Sequence, residues 1–181
     1  MNSNTAVVIR DQTNADSPAV GELLTESFGR AEVAELSERL HQLGDFGARL
    51  VAEQDGQVIG QIQLSRSWID APSQLVEVLV LSPLGVLPSH QRQGIGSQLV
   101  RAAIARAEQL QAPALFLEGS PIYYARFGFS PGQDKGFVRP SVRIPEPAFQ
   151  VITLDPWQPW MTGALVYADV FWQLDCVGLR D

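Results

Sequence analysis

The stretch that decides the fold is LGVLPSHQRQGIGS, which runs from Leu84 to Ser97. Its glycines, Gly94 and Gly96, stand where a polar loop passes into a segment with a helical pattern of apolar residues. A loop that enters a helix offers free backbone N–H groups and the positive end of the helix dipole, which suits an anionic phosphate. Glycines also remove the Cβ atoms that would keep the backbone away from such a ligand. The stretch therefore predicts a phosphate-binding turn.

The segments on either side of this turn predict a strand and a helix. Leu75 to Val86 is mostly apolar, but Pro83 and Gly85 interrupt it, which predicts a bulge or a point where the strand leaves its neighbour. The predicted buried face of the helix consists of Ile95, Leu99, Ala103, Ala107 and Leu110. A short buried strand is predicted at Ala114 to Leu117. Strand, helix and strand in this order imply a parallel, right-handed crossover.

The rest of the chain predicts antiparallel strands and a pair of helices. The helices lie between Ser17 and Gly44, which supply the start and stop signals. The further predicted strands are Thr5 to Arg10, Arg49 to Glu53, Gln57 to Leu64, Phe149 to Leu154 and Ala164 to Phe171. The second and third flank the turn Asp55-Gly56 as a hairpin, and the last two form a closing pair. The predicted class is α/β with a mixed sheet that starts antiparallel and gains one crossover.

Length and charge set further expectations. A chain of 181 residues with 45% hydrophobic content predicts one domain over residues 1–181. Because no apolar run approaches the length of about 20 residues that a membrane span needs, and no secretory signal is evident, a cytoplasmic protein without a membrane partner is expected. The net charge of −7 argues against a nucleic-acid partner. Cys176 is the sole cysteine, and no cluster has metal-ligand spacing, so no metal is expected.

Two other kinds of phosphate site fit the turn less well. A dinucleotide-binding turn needs a third glycine where Leu99 stands. Such a turn is also followed, about 20 residues later, by an acidic residue, and Glu118 does lie at that spacing. A P-loop needs a Gly-Lys-Ser/Thr sequence, which the turn lacks. A nucleotide-binding α/β protein therefore stays the weaker alternative.

Three motifs carry a resemblance to a known family. Gln91-Arg92-Gln93-Gly94-Ile95-Gly96 resembles the Gln/Arg-x-x-Gly-x-Gly/Ala pyrophosphate motif of the GNAT acetyltransferases, and Val86-Leu87-Pro88 resembles the Val-x-Pro that ends their fourth strand. Tyr123 to Phe129 resembles their Tyr-x-x-x-Gly-Phe. With Gly119-Ser120-Pro121 in front, the chain is most similar to the YhbS-like predicted N-acetyltransferases. The resemblance is close over residues 76–131 and loose elsewhere.

This resemblance implies a single-domain GNAT fold with splayed central strands and acetyl-CoA as the acyl donor. The strand around Leu84 to Val86 would hold the pantetheine arm, and the amides of Arg92 to Ser97 would hold the pyrophosphate. The implied cofactor-binding residues are Leu84, Gly85, Val86, Gln91, Arg92, Gln93, Gly94, Ile95, Gly96 and Ser97. The backbone is expected to matter more than the side chains of Gln91 and Arg92.

The resemblance also implies that an amine attacks the thioester directly. The N–H of Val86 would stabilise the oxyanion, and Tyr124 would protonate the departing thiolate. Tyr123 is expected to pack in the core. The acceptor is expected to be a primary amine on a small molecule or peptide, and its identity stays open. The oligomeric state is open as well, a homodimer included.

The general base is where the sequence departs from the family pattern. Many members place a glutamate four residues before the strand valine, but Ser82 stands there. Glu118, at the end of the next strand, is the preferred substitute, with Glu77 as a second candidate and a solvated strand end as the plain alternative for Glu118. An amine that arrives neutral would need no protein base. Ser82 also leaves open a non-catalytic acyl-CoA-binding regulatory module.

Overall fold

The computed structural model describes residues 6–44 and 46–178, and the strands found there join one mixed sheet. The strands are β1 (Val8–Asp11), β2 (Gly47–Gln54), β3 (Gln57–Asp70), β4 (Leu75–Val86), β5 (Ala114–Glu118), β6 (Ser130–Pro131), β7 (Phe137–Val138), β8 (Phe149–Thr153) and β9 (Gly163–Val166). The helices are α1 (Ser17–Phe28), α2 (Ala31–Gln42), α3 (Ile95–Gln109), α4 (Pro121–Ala125) and α5 (Asp169–Gln173). None of these helices is long and apolar enough to cross a membrane.

The sheet runs in the order β1-β2-β3-β4-β5-β8-β6, with β9 on the far part of β3 and β7 on β9. The first four strands are antiparallel, and β4 and β5 are the parallel pair joined through α3. The predicted α/β class with a mixed sheet is therefore confirmed. The short β7 also runs parallel to β9, which the sequence did not predict.

Helices cover both faces of the sheet, and two glycines let them come close. Leu99 of α3 is fully buried, and a Cβ added at Gly60 of β3 would lie 3.0 Å from its Cδ1 atom. On the opposite face, a Cβ at Gly85 of β4 would lie 2.9 Å from a methyl carbon of Leu24 in α1. Each fully buried leucine contributes about 1.5–3 kcal/mol. The close approach of α1 and α3 thus anchors the end of β4 on both faces.

The parallel strands β4 and β5 separate soon after they meet. They pair only at Leu79 with Leu115 and Val80 with Phe116. Beyond that point β4 continues along β3, while β5 continues along β8. The register between β3 and β4 also shifts after Ile62, so β4 carries the bulge that its proline and glycine predicted. The central strands are splayed, as expected.

The predicted closing pair of strands is wrong. β8 lies between β5 and β6, whereas β9 pairs with β3 and β7. The predicted strand from Ala164 to Phe171 stops at Val166, and the chain then forms α5. The reason is the length of β3, which extends past the start of β2 and offers an open edge to β9. Of the predicted first strand, Thr5 lies outside the described residues.

Candidate active site

A cavity of about 350 Å³ opens where β4 and β5 diverge. One wall is the bulged part of β4, from Ser82 to Leu84. Glu118 at the end of β5 and Tyr124 of α4 line the same cavity, so the structure brings together the two residues that the sequence singled out for chemistry. Helices α1 and α2 and the segment after β9 enclose the remaining sides.

Glu118 is a partly buried carboxylate with two fixed partners. It accepts a hydrogen bond from the hydroxyl of Tyr167 at 2.8 Å and one from the backbone N–H of Gly178 at 3.0 Å. Burial raises the pKa of Glu118 above its ordinary value, and these two hydrogen bonds partly offset the rise. The plain alternative of a solvated strand end is therefore wrong. A carboxylate with a raised pKa beside a cavity is chemically suited to accept a proton.

The ring of Tyr124 is packed by aromatic neighbours and by a glycine. It lies edge-on to Tyr123 and to Phe129, with ring centroids 4.9 and 5.8 Å away. A Cβ at Gly119 would collide with the Tyr124 ring, so this position admits only glycine without movement of the ring. Burial raises the pKa of Tyr124 to about 12, which keeps the phenol protonated at neutral pH. The phenol therefore carries a proton beside the cavity.

The end of β4 presents backbone groups toward the divergence. The N–H of Leu87 donates to the carbonyl of Ile59 at 2.9 Å, which makes these two a hydrogen-bonded pair of β3 and β4. Because such pairs alternate in an antiparallel ladder, Leu84 and Val86 point their N–H and C=O groups away from β3. These are the backbone groups that the sequence assigned to a ligand.

The carbonyl of Val86 is held by two side chains. It accepts hydrogen bonds from the hydroxyl of Ser27 at 3.0 Å and from the side-chain amide of Gln91 at 3.1 Å. Gln91 thus ties the phosphate-type turn to the strand. Ser27 was missed by the sequence analysis because it lies on α1, 59 residues away from its partner.

The N-terminus of α3 has no side-chain cap. Gly94 precedes the helix with a φ of 83°, in the left-handed region that favours glycine. The N–H of Gln98 donates to the carbonyl of Gly94, so the N–H groups of residues 95–97 precede the first intrahelical bond. A Cβ at Gly96 would lie 3.0 Å from the hydroxyl of Tyr123, which packs beside this turn. The turn has the free N–H groups and the close backbone that an anion requires.

Comparison with known proteins decides the family. Residues 8–132 match the family model described as an acetyltransferase (GNAT) domain. The chain belongs to the GNAT acetyltransferase family. This GNAT chain is 31% identical over 165 residues to the uncharacterized N-acetyltransferase YjhQ of Escherichia coli K12, covering 86% of the chain and 88% of YjhQ. It is 32% identical over 124 residues to the uncharacterized N-acetyltransferase YhbS of the same strain, covering 68% and 73% of the two proteins.

Two solved structures of GNAT proteins share the fold. The YhbS protein of Escherichia coli, crystallised in complex with CoA, gives a TM-score of 0.84 at 28% identity and covers 94% of both chains. A GNAT acetyltransferase of Brucella melitensis in complex with acetyl-CoA gives a TM-score of 0.75 at 26% identity, covering 93% of this chain and 99% of its own. The predicted YhbS-like family, the fold and the class of acyltransferase are confirmed.

Other candidates of the GNAT chain lie away from the cavity. Glu77 forms an ion pair with Arg66 at 2.9 Å and lies nine residues before Val86, about 30 Å along an extended strand. Glu77 is therefore excluded as the base. Trp157 packs against the core, whereas Trp160 and Trp172 are exposed. Within residues 6–44 and 46–178, no group of three or more His, Cys, Asp or Glu side chains is placed to hold a metal ion.

Proposed function

We propose that this protein transfers an acetyl group from acetyl-CoA to a primary amine by direct attack of the amine on the thioester. The observation that carries the proposal is the divergence of β4 and β5, with Glu118 and Tyr124 on the walls of one cavity. Family membership and the CoA and acetyl-CoA complexes of the two similar structures support the donor.

The donor is held mainly by backbone groups. Leu84 offers an N–H and a C=O group that β5 does not pair, and these bind the pantetheine arm. The carbonyl of Val86 is already bonded to Ser27 and Gln91, which leaves its N–H group for the thioester oxygen. The N–H groups of residues 95–97 bind the pyrophosphate, supported by the positive end of the α3 dipole. Gly94 and Gly96 leave room for the phosphates. The side chains of Gln91 and Gln93 brace the turn, since they donate to the carbonyls of Val86 and Ser89.

The amine and the thioester react in the cavity between these groups. The amine nitrogen bonds to the carbonyl carbon, and the N–H of Val86 stabilises the oxygen that becomes negative. Glu118 takes the proton that the amine nitrogen loses. The carbon–sulfur bond then breaks, and Tyr124 gives its proton to the CoA thiolate. The products are the acetylated amine and CoA.

A second candidate function rests on Ser82. This residue stands where many family members have a glutamate, and it lines the cavity without a carboxylate of its own. A regulatory module that binds acyl-CoA without transferring the acyl group would tolerate that replacement. Glu118 weighs against this candidate because it brings a carboxylate of raised pKa to the same cavity.

A panel of amines assayed for CoA release distinguishes the two candidates. We expect thermal stabilisation by acetyl-CoA, and turnover with at least one amine that falls steeply in Glu118→Gln. Glu77→Gln is the matched control, because Glu77 is an exposed carboxylate on β4 that pairs with Arg66 and does not line the cavity. Stabilisation by acetyl-CoA without any amine-dependent release would favour the regulatory module. The absence of stabilisation would overturn both.

A further inference from the structure

A second cavity is larger than the one at the proposed active site and shares the lining residue Tyr167 with it. It measures about 570 Å³ and follows the edge of β3 that faces away from β4. On that edge β2 pairs with β3 up to Ser65, and β9 begins to pair at Trp68. The cavity occupies the gap between the two partner strands, and residues of both sheet faces line it.

A buried arginine borders this cavity. The side chain of Arg49 is only 9% exposed, and its ion-pair partner Glu38 lies 3.7 Å away and is half exposed. Burial lowers the pKa of Arg49, and the contact with Glu38 offsets only part of this effect. A buried guanidinium with so little compensation is suited to bind an anion.

Polar groups continue beside Arg49 on the same face of the sheet. Gln63 pairs with Arg49 across the strands, and Ser65 lies two residues further along. Ser65 is 5% exposed, and its hydroxyl has no hydrogen-bond partner within the described part of the chain. Gly47 lies opposite Ser65, and a Cβ there would collide with the carbonyl oxygen of Leu64. Ser65 and Gly47 both line the cavity.

The remaining walls are apolar or already paired. Leu40 and Trp68 supply apolar surface. Among the other arginines that line the cavity, Arg66 pairs with Glu77 at 2.9 Å and Arg106 pairs with Asp11 at 2.7 Å. Those two guanidinium groups have close carboxylate partners. Within residues 6–44 and 46–178, the carboxylate that pairs with Arg49 is the more distant Glu38, at 3.7 Å.

We propose that this cavity is a second ligand site, which binds a small organic carboxylate with an apolar body. The carboxylate pairs with Arg49 and accepts a hydrogen bond from Ser65, while the body lies against Leu40 of α2 on the same face of the sheet. Along α3 the site lies toward Arg106, about 16 Å from the helix start that binds the pyrophosphate. It is therefore separate from the donor site and does not depend on the proposed function.

The test uses hexanoate, phenylpropanoate and indole acetate, each compared with its uncharged amide, on the full chain saturated with CoA. Ligand-detected NMR titration should show saturable binding of at least one acid, with its amide about tenfold weaker or more, as loss of a charged hydrogen bond predicts. In Arg49→Gln, the acid should bind only as weakly as its amide does. Arg39→Gln should change nothing, because Arg39 lies outside this cavity and pairs with Glu35 on the same helix.

Three results would overturn the proposal. They are equal binding of acids and amides, equal binding of the acid to wild-type protein and Arg49→Gln, and the absence of saturable binding by all three acids. The comparison of acid with amide uses wild-type protein, so it stands even if Arg49→Gln fails to fold. Ser65→Ala serves as a milder second variant and should weaken the acid more than the amide.

Discussion

At the scale of single residues, the phenol of Tyr124 makes the sharpest prediction. If it protonates the thiolate, Tyr124→Phe removes a proton and leaves the ring contacts with Tyr123 and Phe129 in place. The rate of CoA release at saturating substrates should fall roughly 100-fold, the lower end for general acid catalysis because a thiolate is a good leaving group. Thermal stabilisation by acetyl-CoA should stay unchanged. An unaltered rate would remove Tyr124 from the mechanism.

The carboxylate of Glu118 predicts a pH dependence. A base must be ionised to accept a proton, and burial places the pKa of Glu118 above the ordinary glutamate value of 4.5. The rate should therefore rise with pH through a value above 4.5. In Glu118→Gln the rate should fall roughly 100-fold and should no longer rise with pH in this range. A wild-type profile that is flat over the acidic range, or a variant that keeps the rise, would contradict the assignment.

At the scale of elements, the start of α3 depends on a backbone shape that glycine allows. Gly94 has a φ of 83° and open space around its Cα. Alanine there should cost about 1–2 kcal/mol, and acetyl-CoA should bind roughly tenfold more weakly if the turn relaxes. Gly56, in the β2–β3 hairpin, is a matched control because it has a φ of 76° and equally open space. Gly56→Ala should lower the melting temperature similarly and leave the acetyl-CoA affinity, measured by calorimetry, unchanged.

A second element-scale prediction concerns the link between β1, β2 and the start of α1. Asp16 accepts hydrogen bonds from the N–H and hydroxyl of Thr13 and from both terminal nitrogens of Arg10, which also binds Glu53. These contacts, Arg10 first, hold the pKa of Asp16 well below its ordinary value of 3.8. Their stabilisation is present above that value and is lost as the pH falls toward the lower folded pKa.

Asp16→Asn should therefore lower the free energy of unfolding by about 1–3 kcal/mol at neutral pH. The difference in the free energy of unfolding between wild type and variant should shrink below pH 3.8, because Asp16 of the unfolded wild-type chain is then protonated. Urea unfolding at neutral pH and below pH 3.8 measures this difference. A difference that stays constant with pH would mean that the charge of Asp16 does not contribute.

Local signals explain which elements the sequence could predict. The strand Leu75–Val86 and the start of α3 were placed correctly because proline, glycine and helical spacing act within a few residues. The partner of β9 was not predictable, because β9 pairs with the part of β3 that extends beyond its pairing with β2. The bond between Tyr167 and Glu118 joins residues 49 positions apart, and no local pattern marks it.

At the scale of the whole molecule, the cavity is assembled from four separate parts of the chain. Glu118 comes from the end of the crossover, whereas Tyr167 and Gly178, which hold it, follow β9. The long β3 carries β9, and so brings the segment after β9 back to the divergence of β4 and β5. The segment after β9 thus positions Glu118, the proposed base, although the two are far apart in the sequence.

This arrangement predicts a role for Tyr167 that a purely structural residue would not have. Its hydrogen bond favours the ionised form of Glu118, so Tyr167→Phe should raise the pKa of Glu118 further. The rise of the rate with pH should move to higher pH, while the rate above that rise should recover much of the wild-type value. Glu118→Gln should show no such recovery. If Tyr167→Phe lowers the rate equally at every pH, Tyr167 supports the cavity without tuning the base.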